Sequence, residues 1–393
     1  MKSIPTHIYI ENEAVKTHSD EIASLGRNAM IITGRHSSAA NGSLSDVITA
    51  LESRNIAYSI YNSVEENPTV ETVCLAASAA ADMGTDMFVA VGGGSPMDAS
   101  KAISLLAKNK VVSKSFEYTI SDHIIKIEKS ASAEDIQSAE KFLYTPVELE
   151  YFPVACVPTT CGTGSEVTPY SILTSHAMGT KKSISHKIYP SYALVDSKYL
   201  KTASFSGMKS TCVDALAHMI ESRMNVNANS FSRAYAEEGI KLWAGCKNVI
   251  MTEENFAAVT ENDLSVFMQA SVLAGLSIAY TGTSIPHGLS YTLTYENNVP
   301  HGKAVGMFLP GFVKNYGDKK LAEYVVEDLL GFDDISAFRD YIYKLFGRLE
   351  ISDELWRKDT AGLLANPAKL KNYPFEVTEK MLDSYKDFYN QCD

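Results

Sequence analysis

Between residues 29 and 109 the sequence passes three times from a short apolar run to a stretch of helical spacing. AMIITG (29–34) leads to LSDVITALESRN, IAYSIYNSV (56–64) to TVETVCLAASAAADMG, and DMFVAVGGGSP (86–96) to DASKAISLLAKN. Runs this apolar do not alternate inward and outward residues, so they predict strands buried on both faces. A parallel sheet with helices on either side meets that need. FPVACVPTT (152–160) and SYALVDS (191–197) read as further strands of the same kind. After about residue 198 strand-like runs become rare and helical patterns take over, from SGMKSTCVDALAHMIESRM to SAFRDYIYKLFGRL. The expectation is an α/β N-terminal Rossmann-like domain with a parallel sheet over 1–198, followed by an all-helical domain over 199–393. At 393 residues the chain is long enough for two cores. The polar segment 110–150 has no assigned place in the sheet.

Charge narrows the partners. With 47 acids against 35 bases the formal charge is −12, the wrong sign for a protein that grips a phosphate backbone. Six cysteines without a CxxC pair are expected to be reduced, buried thiols of a cytoplasmic protein. MKSIPTHIYIENEA lacks the apolar core of a secretory signal. The most apolar stretch, SVLAGLSIAYTG, is short and rich in small side chains, which suits a core helix better than a membrane span.

Two glycine loops follow buried strands. In VAVGGGSPMDASK the bare N–H groups of Gly92, Gly93 and Gly94 stand at a helix start, where partial positive charge favours a pyrophosphate. Ser95 is expected to cap that helix, Pro96 to occupy its first position and Asp98 to complete a capping box. PTTCGTGSEVT (158–168) adds hydroxyls at Thr159, Thr160, Thr163 and Ser165. Such loops at the ends of parallel strands mark the crevice where open α/β sheets bind ligands.

The metal candidates lie further on. In CVDALAHMIES, Asp214 and His218 are four residues apart and project from one helix face. Pro-His-Gly is printed twice in SIPHGLSYTLTYENNVPHGKAVG, giving His287 and His301 the same helix-start setting. LSYTLTY is expected to be a short helix and ENNVP a turn that brings the second histidine back beside the first. Three imidazoles with one carboxylate suit iron(II) or zinc(II) rather than magnesium or calcium.

Taken together, GGGSPMDASK, PTTCGTGSEVT, DALAH and the paired histidines resemble the iron-containing (group III) alcohol dehydrogenase family over most of the chain. The resemblance implies a cleft between the two domains for substrate and nicotinamide. It implies Asp214, His218, His287 and His301 as metal ligands, with iron the usual occupant. It also implies Gly93, Gly94, Ser95, Asp98, Thr159, Thr160, Thr163 and Lys182 as cofactor contacts. The implied reaction is metal-assisted hydride transfer between a primary alcohol or its aldehyde and NAD(P)(H), in a cytoplasmic homo-oligomer, a dimer, with no nucleic-acid or membrane partner. Family members commonly carry another histidine four residues after the third ligand; this chain has Tyr291. A phenol donates a hydrogen bond readily but, with a free pKa of about 10, is a poor base at neutral pH. Tyr291 therefore joins the candidate catalytic residues with an altered role. Where the family often has an acidic residue after the IIT run, this chain has Gly34, followed by Arg35, His36, Ser37 and Ser38. A guanidinium and hydroxyls in place of a carboxylate favour the 2′-phosphate of NADP(H) over NAD(H). Segment 110–150 is longer than the family norm. The alternative on a similar scaffold is a dehydroquinate-synthase-like sugar-phosphate cyclase, for which Lys182, Lys187 and Lys303 form no evident phosphate clamp. A non-catalytic nucleotide-binding relative would be marked by a missing ligand, and all four are present.

Overall fold

The computed structural model describes residues 3–113, 116–251 and 259–392. The chain divides into two compact units: Met1–Thr160 with Ser165–Ala203, and Cys161–Gly164 with Ser204–Asp393.

The first unit is built on an eight-stranded sheet. Its strands are β1 (His7–Ile10), β2 (Asn28–Thr33), β3 (Ala57–Tyr61), β4 (Met87–Gly92), β5 (Glu117–Ser121), β6 (Ile124–Lys129), β7 (Val154–Pro158) and, after a separate hairpin of β8 (Ile172–Ser175) and β9 (Thr180–Ser183), β10 (Tyr192–Val195). The order across the sheet is β1-β10-β7-β4-β2-β3-β6-β5. Every pair is parallel except β5 with β6. Its longer helices are α1 (Ser43–Ser53), α2 (Val70–Asp82), α3 (Gly94–Lys108) and α4 (Ala133–Tyr144), with shorter helical turns elsewhere.

The two-sided burial read from the sequence is what the sheet shows. Met30, Ile32, Phe88 and Ala90 enter one core, with Val73, Ala77 and Ala80 of α2 and Met97, Ile103 and Leu106 of α3. The intervening Ala29, Ile31, Met87, Val89 and Val91 enter the other, with Val47 and Leu51 of α1. Each large side chain so buried contributes roughly 1.5–3 kcal/mol. Segment 110–150 does join the sheet. Its hairpin adds β6 to the edge of β3 through Ile60 and Ile124, and Ala139 and Leu143 of α4 close the core above α2. The sequence hides this because an edge hairpin, charged and half exposed, lacks the apolar run of a central strand. Lys114 and Ser115 lie outside the described residues.

The second unit is helical: α5 (Phe205–Arg223), α6 (Ser230–Cys246), α7 (Glu261–Thr281), α8 (Ile285–Asn297), α9 (His301–Lys314), α10 (Ile335–Phe346), α11 (Asp353–Leu364) and α12 (Glu379–Tyr389), again with short turns between. Among the described residues α7 alone is long and apolar enough to cross a membrane, with mean hydropathy 1.4, and most of it is buried against α5 and α6. Helix α5 runs through the interior, with Cys212, Val213, Leu216, Ala217, Met219 and Ile220 all buried. Asp214, His218 and Glu221 are therefore dehydrated with it, and each needs a partner.

Candidate metal centre

Three helix segments meet at the buried polar stripe of α5. Helix α8 starts with Ile285 and Pro286, which places His287 in its first turn. The helix runs through Tyr295, Glu296 and Asn297, so only Asn298–Pro300 form the turn expected of ENNVP. Asn298, with φ 53°, reverses the chain in the left-handed region. Pro300 then caps α9, whose first residue is His301. The start of α9 lies directly on α5, because a Cβ on Gly302 would stand 1.8 Å from the Ser210 carbonyl oxygen.

The four sequence candidates come together around one carboxylate oxygen. Asp214 Oδ1 lies 3.4 Å from His287 Nε2, 3.7 Å from His301 Nε2 and 3.9 Å from His218 Nε2. Asp214, His218 and His287 are buried, whereas His301 is one-third exposed. The His218 and His287 rings stack at 4.5 Å, and His301 meets His287 edge-on at 5.4 Å. Two buried atoms here, Asp214 Oδ1 and His287 Nε2, have no hydrogen-bond partner although they face each other. Orphaned buried groups are rare and costly, and a shared cation satisfies both. Bonds of about 2.1 Å at tetrahedral angles put ligand atoms about 3.4 Å apart, close to the spacing found. The donor set fits a divalent metal.

The outer ring nitrogens have their own partners. His218 Nδ1 lies 3.3 Å from the Gly162 carbonyl oxygen, and His287 Nδ1 meets Glu221 Oε1 in a short contact. Glu221 is fully buried, and its second oxygen accepts the Ser284 N–H, also in a short contact. Burial works against the Asp214 carboxylate, yet the imidazoles of His218, His301 and His287 hold its pKa well below the usual range. Burial lowers His218. It would lower His287 too, but Glu221 and Asp214 outweigh it and push that imidazole up to about 10. Tyr291, one turn beyond His287, stacks on the His301 ring at 6.3 Å with an interplanar angle of 15°.

The nucleotide candidates other than Thr163 lie in the first unit. Strands β2, β4 and β7 are neighbours in register, so their carboxyl ends deliver Gly34, Gly92 and Pro158 to one edge of the sheet. Thr159 N–H bonds the Gly92 carbonyl at 2.9 Å, tying the two loops together. Gly92 has φ 146° against the Pro96 ring, and a Cβ on Gly93 would press on Thr160 at 3.1 Å. The capping expectation for α3 is corrected: the cap residue is Gly93, and no side chain caps it. Asp98 is drawn instead to Ser165 Oγ at 2.5 Å and Ile172 N at 2.8 Å, beside buried Lys101. Ser95 Oγ accepts the Asn67 N–H at 3.2 Å. These partners lie so far along the chain that local spacing could not show them. Gly94 opens α3, while Arg35 and Ser37 are exposed beyond β2. Thr163 falls in the four-residue stretch that groups with the helical unit. Of the two adjacent lysines on β9, Lys182 lies over the Tyr144 ring at 4.9 Å, and Lys181 reaches Asn67 Oδ1 at 2.7 Å. Burial lowers Lys181 to about 8.

The whole fold has close counterparts. The family model described as "Iron-containing alcohol dehydrogenase" matches residues 5–197, and "Fe-containing alcohol dehydrogenase family, C-terminal" matches residues 208–361. An iron-containing alcohol dehydrogenase of Thermotoga maritima superposes with TM-score 0.83 at 32% identity, covering 99% of each chain. The chain belongs to the iron-containing alcohol dehydrogenase family. Asp214, His218 and His287 are its Asp/His metal site. The long-chain primary alcohol dehydrogenase AdhA of Thermoanaerobacter ethanolicus is 26% identical over 90% of this chain and 87% of its own length. Aldehyde-alcohol dehydrogenase 2 of Entamoeba histolytica is 28% identical over 68% of this chain, which spans only 28% of that protein. Two residues packed against the His287 and Asp214 side chains carry no motif of their own. Glu221 is visible as a third member of the Asp214–His218 helix face, and Gly302 only as half of the second Pro-His-Gly.

Proposed function

We propose that this chain catalyses reversible hydride transfer between a primary alcohol or its aldehyde and NADP(H), with a short-chain aldehyde as the substrate reduced. The convergence of Asp214, His218, His287 and His301, two of them with orphaned atoms, carries this reading. His301 is the fourth ligand in it, and iron(II) the occupant ahead of zinc(II). A divalent cation held there would supply Lewis-acid polarisation of the substrate oxygen.

The chain's own residues supply placement. Residues 1–198 bind the dinucleotide and 199–393 hold the metal and substrate. The N–H groups of Gly93, Gly94 and Ser95 at the start of α3 receive the pyrophosphate, where the helix dipole and the absence of Cβ atoms favour close approach. Thr159 and Thr160 complete the cradle, and Asp98 holds the loop through Ser165 and the Ile172 N–H. At the end of β2, Gly34 removes the carboxylate that would repel a 2′-phosphate, and exposed Arg35 and Ser37 can bond one. Beside the metal, Tyr291 donates a hydrogen bond toward the substrate oxygen while stacked on His301. The reading includes a cytoplasmic dimer that works on a small molecule alone.

The test is a screen of short aldehydes against NADPH and NADH, read at the reduced-nicotinamide absorbance band on iron- and zinc-loaded protein with metal content measured. Aldehyde-dependent loss of NADPH absorbance is expected, and His287→Ala should end it while still binding dinucleotide. Turnover by metal-free His287→Ala at the wild-type rate would defeat the proposal.

A further inference from the structure

We propose that Glu221 is the positioning residue of the metal centre: its carboxylate fixes which nitrogen of His287 faces the ion and where α8 begins. The inference rests on the metal reading above and deepens it.

The argument starts from burial. Glu221 has no exposed surface, and its contacts go to an imidazole and a backbone N–H. It sits seven residues after Asp214 and three after His218, hence on the same face of α5. One oxygen, Oε1, accepts a hydrogen bond from His287 Nδ1–H, and Oε2 accepts one from the Ser284 N–H. Ser284 is the residue that precedes α8, and its own side chain caps nothing. A single carboxylate on α5 therefore pins both the helix start and the ring carried in its first turn.

The chemical consequence is a choice of tautomer. An ion that displaces the Nε2 proton leaves an imidazole that still donates from Nδ1 to the carboxylate and gives its Nε2 lone pair to the ion. That Nε2 is the atom without a hydrogen-bond partner, 3.4 Å from the equally orphaned Asp214 Oδ1. A neutral acceptor can also select this tautomer, and His218 shows it, with the Gly162 carbonyl facing its Nδ1. A charged acceptor does more: it makes the ring a more basic ligand and adds a second negative charge to that of Asp214. With two carboxylates and neutral imidazoles, a dication leaves the buried site with no net charge, so both carboxylates favour its retention.

Glu221→Gln separates this role from mere helix docking. The amide keeps the shape and can still accept the Ser284 N–H, but its NH2 then faces His287 Nδ1. That arrangement moves the ring proton to Nε2, onto the lone pair the ion needs. Zinc affinity, measured by competition with a chromophoric chelator, is expected to fall about 10–100-fold, and the cobalt(II)-loaded protein should show an altered visible spectrum. In a His287→Ala background the same substitution should cost clearly less zinc affinity than in wild type, because the part that acts through the ring is already gone. If Glu221→Gln binds zinc as tightly as wild type, with the wild-type cobalt spectrum, the proposal is overturned and the metal reading stands. Wild-type protein that takes up neither zinc nor iron(II) overturns both. Should the variant not fold, nitrogen-15 NMR of histidine in zinc-loaded wild type decides: a proton on His287 Nδ1 with zinc-bound Nε2 supports the proposal, and the reverse refutes it.

Discussion

Gly302→Ala probes the joint between sequence and site more sharply than removal of a ligand, because it leaves every polar group in place. The added Cβ would lie 1.8 Å from the Ser210 carbonyl oxygen, 2.6 Å from its carbon and 3.0 Å from Asp214 Cβ. Ordinary contact begins at 3.4 Å, so the start of α9 must retreat from α5 by about 1.6 Å. His301 is the preceding residue and moves with it. Its Nε2, now 3.7 Å from Asp214 Oδ1, then stands beyond about 5 Å. Two ligands sharing one ion through bonds of about 2.1 Å can be at most about 4.2 Å apart. His301 should therefore drop out of the shell. Overpacking costs roughly 1–3 kcal/mol, which for a unit of this size lowers the melting midpoint by about 2–12 °C. Zinc affinity should fall at least about tenfold, by the scale of supporting-contact losses. The assay is thermal unfolding with chelator and with zinc, alongside chelator competition. Gly245→Ala is the control: nothing lies within 4 Å of its Cβ, and it is helical, so it should stabilise by a few tenths to about 1 kcal/mol. A Gly302→Ala protein with wild-type midpoint and zinc affinity would refute the placement of α9 on α5.

Other substitutions test other parts of the account. Asp359 accepts a hydrogen bond from Thr292 at 2.6 Å, its Oδ2 has no partner, and burial pushes the carboxyl up to about 7. The fold thus favours its protonated form, so its contribution is complete below the unfolded value of about 4 and is lost as pH rises toward 7. Asp359→Asn should melt with wild type at pH 4 and above it at pH 8, and parallel curves would contradict this. A Cβ on Gly34 meets only the Val64 carbonyl oxygen, at 3.5 Å, leaving room for Gly34→Asp. That variant should shift the NADPH-to-NADH ratio of kcat/KM toward NADH by about 10–100-fold, the worth of a charged hydrogen bond gained or lost; an unchanged ratio places the 2′-phosphate elsewhere. Tyr291→His should give kcat/KM a new ascending limb near pH 6.5, the ordinary imidazole range. A profile identical to wild type would remove position 291 from proton handling.

Some of this was legible in the sequence for plain physical reasons. Central parallel strands are buried on both faces, so AMIITG, DMFVAVG and FPVACVP announce β2, β4 and β7 by being apolar without alternation. Asp214 and His218 share a helix face by spacing alone, and Pro286 and Pro300 mark the helix starts that carry His287 and His301. What stayed hidden depends on partners distant in the chain. Asp98 follows the capping-box spacing, yet Ser165 and Ile172 claim its oxygens. Glu221 lies in the same stripe as the ligands, but its role exists only once Ser284 and His287 are folded against it. The β5–β6 hairpin is polar because it closes an edge, with Lys126 paired to Glu128 and Lys129 to Glu117 at its surface.

X-ray absorption at the metal edge of the iron- or zinc-loaded protein tests the central claim most directly. One ion per chain, with imidazole multiple scattering from histidines and a carboxylate oxygen at about 2.0–2.2 Å, is the expected result, with one imidazole fewer in His301→Ala. A shell containing sulfur would assign the ion to thiols such as Cys161 and Cys212, 3.5 Å apart. That outcome, or a shell without histidine, would contradict the account.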